Sequence, residues 1–260
     1  MKARGILFDL DGVLYNSDRL IPGAPETVAW VKSQGIPHLF VTNTTSRSRA
    51  VLVEKLRGFG IPASEDDLMT PAVAAADWLR SSGEGAIALF LRPSTRHEFA
   101  GLPCLPDDAA HGASYVVIGD LGQHWDYATL NRAFRLLHHN PDAKLIALGM
   151  TRYWLAADGI SLDVAPFVAA LEHATGRTPM VFGKPAAAFF DAAVRKLGLP
   201  RGQVLMIGDD IDADVGGAMR AGLRGALVKT GKFRESDLAG AVQPDAVLDS
   251  VRVLPEWWTR

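Results

Sequence analysis

The sequence predicts an α/β fold: a parallel sheet flanked by helices, divided in sequence by a second, inserted α/β domain. Three observations lead there. Short apolar runs alternate with helical patterns through the first third of the chain, and the same rhythm returns after Met180. The stretch between has strands and helices of its own and is long enough for an independent core. Alternation of strand and helix is the signature of βαβ units and parallel pairing.

The elements follow in order. Ile6-Leu7-Phe8 is a buried strand; Ala24 to Gln34, with Pro25 near its start and Gly35 beyond its end, is a helix. His38 to Val41 is the second strand, closed by Thr42-Asn43-Thr44-Thr45-Ser46, and a helix carries Val51, Leu52, Leu56 and Phe59 before Gly60. The insertion supplies strands at Ala86–Leu91, Tyr115–Ile118 and Leu145–Leu148, and helices near Asp126–His139 and Val164–Ala174. After it come a helix from Ala186 to Leu197, a strand at Val204–Ile207, a short helix from Asp214 to Ala221, and strands at Ala226–Val228 and Ala246–Leu248. The expected division is 1–73 and 181–260 for a Rossmann-like core, with 74–180 as the insertion.

Composition sets bounds. With 48% apolar and 22% charged residues in 260, the chain is that of a globular protein. A net charge of −2 with scattered basic residues gives no footprint for nucleic acid. No stretch approaches the ~20 apolar residues that cross a bilayer, and Asp9 and Asp11 interrupt the N-terminal apolar run too early for a signal peptide. Cys104 is the single cysteine, which excludes an internal disulfide and fits a reducing, cytoplasmic setting. No membrane partner is expected.

Carboxylates are unusual at the end of an apolar strand, because an uncompensated buried charge is costly. Asp9 and Asp11 stand at such an end, beside Gly12. Residues i and i+2 of a strand share a side, so the two converge, and two like charges that close need a cation or a shared proton. Three further polar segments are expected to end core strands: Thr42-Asn43, Gly183-Lys184-Pro185 and Gly208-Asp209-Asp210. Ligands of open parallel sheets bind at the carboxyl ends of strands. Each residue type has a use in phosphoryl transfer: carboxylates to hold Mg²⁺, attack phosphorus or protonate a leaving oxygen, and lysine to offset charge.

In this order and spacing, Phe8-Asp9-Leu10-Asp11-Gly12-Val13-Leu14-Tyr15, Val41-Thr42-Asn43, Gly183-Lys184-Pro185 and Gly208-Asp209-Asp210-Ile211-Asp212-Ala213-Asp214 resemble the four motifs of the haloacid dehalogenase-like hydrolase superfamily. The longer strings Asp11 to Tyr15, Thr42 to Ser46 and Val228 to Phe233 are similar to its NagD-like phosphatase branch, subclass IIA. The resemblance implies an α/β cap between the second and third motifs, Mg²⁺ as cofactor, a small phosphorylated metabolite as substrate, and a homodimer through the cap. It implies Asp9 as nucleophile and metal ligand, and Asp11 as general acid/base lending its backbone carbonyl to the metal. Thr42, Asn43 and Lys184 would hold the phosphoryl group, with Asp209 as a metal ligand and Asp214 and Asp210 as orienting carboxylates. In the insertion, Met150 to Gly159, with Tyr153 and Trp154, resembles the cap's substrate-specificity loop.

Other residues are assigned to structure. Trp30, Trp78 and Trp125 pack helices, His138-His139 ends one, and Asp212 is a solvated charge. A dehalogenase is disfavoured because superfamily dehalogenases lack the aspartate that Asp11 supplies. A phosphomutase-type phosphotransferase and a catalytically silent binding protein are the alternatives; the second is disfavoured because every candidate position is present.

Overall fold

The computed structural model describes residues 3–82, 84–156 and 159–259. The chain divides into two compact units. One contains Met1–Thr42, Arg49–Met69 and Lys184–Arg260; the other contains Asn43–Ser48 and Thr70–Gly183. The chain thus changes unit at 42/43, 48/49, 69/70 and 183/184, where the sequence predicts 73/74 and 180/181.

The first unit is built on a six-stranded parallel sheet in the spatial order Ala246–Leu248, Arg224–Val228, Val204–Gly208, Gly5–Asp9, His38–Val41, Leu68–Met69. Gly5–Asp9 is buried at every position, as a strand covered on both faces must be. Phe8 pairs with Ile207 on one side and Phe40 on the other. Ile6, Phe8, Phe40 and Ile207 share a core with Val28 and Val31 of helix Ala24–Ser33 and Leu52 and Leu56 of helix Arg49–Gly58. Trp30, Trp257 and Trp258 pack against that core.

Strand order reverses around Gly5–Asp9. From it the chain moves outward through His38–Val41 to Leu68–Met69, and its final segment moves the opposite way from Val204–Gly208. Asp9, Thr42 and Asp209 end or follow the three central strands, at the point where connections diverge and leave a crevice.

The second unit has a four-stranded parallel sheet in the order Met180–Val181, Lys144–Ala147, Tyr115–Ile118, Ile87–Phe90. Helices Pro71–Ser81, Tyr127–His139 and Val164–Thr175 accompany it. Trp125 stacks on Phe167 at 4.5 Å, and Trp78 meets Phe182 at 5.6 Å, so both are packing residues. The Arg177 guanidinium donates to the Leu137 carbonyl in the last turn of Tyr127–His139 and to those of Asn140, Pro141 and Ala143 just beyond it. A distant arginine, rather than the histidine pair alone, finishes that helix.

Three expectations change. Gly183-Lys184-Pro185 does not end a core strand: Met180–Val181 pairs with Lys144–Ala147, and the Phe182 amide still donates to Ala147, keeping the chain on the second sheet up to Gly183. The helix expected from Asp214 starts earlier, as a π-helical turn over Ile211–Gly216 followed by Gly217–Arg220, because the Asp210 carboxylate caps the amides of Asp212 and Ala213. The Met150–Gly159 loop is in part a strand: Tyr153–Ala156 pairs antiparallel with Gly159–Leu162, while Ala157 and Asp158 lie outside the described residues.

Candidate active site

Four charged side chains lie buried together at the carboxyl end of the first sheet. Asp9 is 8% exposed, Lys184 6%, Asp209 2% and Asp214 1%. Lys184 enters on the loop that returns from the second sheet, and its Nζ stands 2.6 Å from Asp9 Oδ1 and 2.6 Å from Asp214 Oδ1. Oxygens of Asp9, Asp209 and Asp214 all lie within 4.8 Å of one another.

The electrostatics are unbalanced in a telling direction. Burial pushes the Lys184 ammonium toward neutrality, but Asp214 and Asp9 outweigh it and hold the proton firmly. Burial pushes Asp214 up to about 6, with Asp9 adding to the rise and Lys184 opposing it. It pushes Asp209 up to about 6 as well, against the hydrogen bond from Lys232 and with Asp214 adding. Asp9 is raised by burial and by Asp209, with Lys184 working against both. Three carboxylates therefore share one buried ammonium. Burying charges without matched partners is costly, and an all-oxygen set of this kind suits a hard divalent cation.

Asp210 and Lys232 form a separate pair. Burial raises Asp210, but the Ala213 amide and the Lys232 ammonium at 3.2 Å bring its carboxyl below the usual range. Asp210 thus pairs with Lys232 and the following turn, and Asp214 pairs with Lys184. Asp212 is exposed, as expected.

Asp11 sits differently from Asp9. The strand ends at Asp9, so alternation along it does not reach Asp11. Gly12, at φ +85°, turns the chain, and its amide donates to the Tyr15 carbonyl at 2.6 Å. Asp11 is exposed on this turn and accepts the Ser17 amide at 3.2 Å. Thr42 is half-buried after His38–Val41, with its amide on the Met69 carbonyl at 3.2 Å. Asn43 groups with the second unit. Tyr153 and Trp154 are exposed on the second unit's hairpin.

One contributor carries no role in the sequence reading. The Lys232 amide donates to Asp209 Oδ2 at 2.7 Å, fixing that carboxylate. A backbone donor has no side-chain signature, although Thr230-Gly231-Lys232 does follow an apolar strand in the manner of the other motifs.

Comparison with known proteins agrees with this architecture. The family described as haloacid dehalogenase-like hydrolase matches residues 6–102, and one described as HAD-hydrolase-like matches residues 181–254. The phospholysine phosphohistidine inorganic pyrophosphate phosphatase of Homo sapiens is 40% identical over 238 residues, covering 90% of this chain and 86% of the relative. The structure of p-nitrophenyl phosphatase from Archaeoglobus fulgidus superposes with a TM-score of 0.88 at 29% identity, covering 99% of this chain and 100% of that one. NagD from E. coli K-12 shares the fold with a TM-score of 0.86 at 24% identity, over 97% of this chain and 98% of its own.

Proposed function

The chain belongs to the haloacid dehalogenase-like hydrolase family and is a phosphatase of it, and from that premise we propose that it hydrolyses small phosphomonoesters, with Mg²⁺, through an aspartyl-phosphate on Asp9. The observation that carries the reading is the buried cluster of Asp9, Asp209 and Asp214 around Lys184.

In the first step a carboxylate oxygen of Asp9 bonds to phosphorus, the bond from phosphorus to the leaving oxygen breaks, and Asp11 gives that oxygen its proton. In the second step Asp11, now a carboxylate, takes a proton from water. The water oxygen bonds to phosphorus, the bond to Asp9 breaks, and inorganic phosphate leaves. The exposure of Asp11 supports this role, since its carboxyl is open to both the leaving group and the attacking water. Lys184, held protonated by two carboxylates, offsets charge on the phosphoryl oxygens. Thr42, with Asn43 next to it in the chain, donates to the same oxygens. Asp9, Asp209 and the Asp11 carbonyl would hold Mg²⁺, which supplies Lewis-acid stabilisation of the transferring group when bound.

Tyr153 and Trp154 are the second unit's candidates for contact with the organic part of the substrate. That unit acts in this reading as the cap and as the surface of a homodimer, a role supported by the family resemblance. The single cysteine supports a cytoplasmic setting; among the described residues no helix is long and apolar enough to cross a membrane.

The test is hydrolysis of an aryl phosphate and a panel of phosphometabolites, with and without Mg²⁺, by wild type and Asp9→Asn. Mg²⁺-dependent turnover that Asp9→Asn abolishes is expected. No such turnover across the panel overturns the reading, and full activity in Asp9→Asn overturns the nucleophile.

A further inference from the structure

We propose that the loop Thr230–Lys232 is the positioning element for the metal ligand Asp209, clasping it against the turn at Gly12 so that one carboxylate oxygen is spent on the protein and the other is left to the cation. The inference rests on the metal reading above and adds residues that lie outside the four motifs.

The geometry is specific. The Lys232 amide donates to Asp209 Oδ2 at 2.7 Å. The same oxygen is enclosed by two glycines in the left-handed region, Gly12 at φ +85° and Gly231 at φ +68°. A Cβ on either residue would collide with Asp209 Oδ2, and a Cβ on Gly231 would also come within 2.6 Å of the Gly12 Cα. The Thr230 hydroxyl donates to the Gly12 carbonyl, tying the two glycine turns together. Beyond them, the Lys232 ammonium draws Asp210 Oδ2 to 3.2 Å, which keeps this fourth carboxylate engaged outside the cluster.

An unrestrained aspartate can rotate about its side-chain bonds and must be ordered when a metal arrives. The clasp does this ordering in advance. Partners that orient a ligand are worth about 10–100-fold in metal affinity, because a ligand held in its binding geometry loses little freedom on binding.

The experiment measures Mn²⁺ binding, by the loss of the free-ion electron paramagnetic resonance signal, for wild type, Asp209→Asn, Gly231→Ala, Thr230→Val and Thr230→Ser. Melting in EDTA is followed for each, to separate loss of affinity from loss of fold. Wild type should bind and Asp209→Asn should not. Gly231→Ala is expected to weaken binding about 10–100-fold, and Thr230→Val about 10-fold, with Thr230→Ser restoring wild-type affinity through its hydroxyl. Thr230→Val decides the matter if Gly231→Ala does not fold. Wild-type affinity in Thr230→Val and in folded Gly231→Ala overturns the clasp while leaving the metal reading intact. A wild-type protein that binds no Mn²⁺ overturns both.

Discussion

Lys184 Nζ and Asp214 Oδ1 form a 2.6 Å ion pair in which both side chains are buried. The pair ties the loop that returns from the second sheet to the turn after Val204–Gly208. Removing one partner of such a pair leaves the other charged without compensation. Lys184→Met is therefore expected to cost about 3–5 kcal/mol of stability, read from urea denaturation of the metal-free protein. A loss below about 1 kcal/mol, the size of an exposed pair, contradicts the burial argument.

Asp214→Asn leaves Lys184 in place but unsteadied. Turnover with an aryl phosphate should fall about 10–100-fold, with the larger share in kcat, since the lysine acts on charge that develops during the reaction. An effect confined to KM would assign Asp214 to ground-state binding instead.

Asp11→Asn removes the proton donor and acceptor but not the nucleophile. We expect kcat to drop about 10²–10⁴-fold. The loss should be smaller for a substrate whose leaving group needs no proton, such as a nitrophenolate. An equal loss with acidic and basic leaving groups rules out the acid role in the first step.

The buried carboxylates make a pH prediction. Asp209 and Asp214, both raised to about 6, still hold protons in the folded state where the unfolded chain has released them. The sign follows: their contribution to the stability of the metal-free protein falls as pH rises from about 4 to about 6. A divalent cation binds the deprotonated form. The rise in Tm given by Mg²⁺ relative to EDTA should therefore be small near pH 5 and larger near pH 7.5. The same rise at both pH values would sink the assignment.

Arg177 offers a prediction away from the site. Its guanidinium serves four carbonyls around the end of helix Tyr127–His139. Arg177→Met should cost about 2 kcal/mol, since hydrogen bonds from a charged donor are worth roughly 1.5–3 kcal/mol. Arg177→Lys should recover only part of this, because an ammonium cannot span the fork. The check is denaturant unfolding followed by far-UV circular dichroism.

Strands buried on both faces were the most legible part of the chain. Gly5–Asp9, Val204–Gly208 and Tyr115–Ile118 appear as apolar runs because every side chain meets protein. Glycine stops were equally clear: Gly198 takes the left-handed conformation that ends helix Ala187–Leu197. The hairpin at Tyr153 is hidden, because Tyr153, Trp154, Ile160 and Leu162 are apolar residues left exposed, so hydrophobicity does not mark a buried face. Helix Pro71–Ser81 is hard to see despite its Thr70 cap, because its alanines give a weak periodic signal. The strand leading to Lys184 belongs to the second sheet, and two residues of pairing leave no pattern that would show it. At the site, chemistry-bearing side chains could be listed from sequence, whereas the backbone amide of Lys232 could not.

The pairing of Gly5–Asp9 with Val204–Gly208 has a consequence for how the molecule is made. The strand carrying Asp9 leaves the ribosome well before the neighbour on one of its edges, which is synthesised nearly two hundred residues later. Residues 70–183 are contiguous and can complete their own core in the interval, as domains do when they fold in order of synthesis. Until then the apolar strand Gly5–Asp9 must wait with one edge unpaired. Chains stalled before Val204 are thus the form of this protein most exposed to aggregation and most in need of a chaperone.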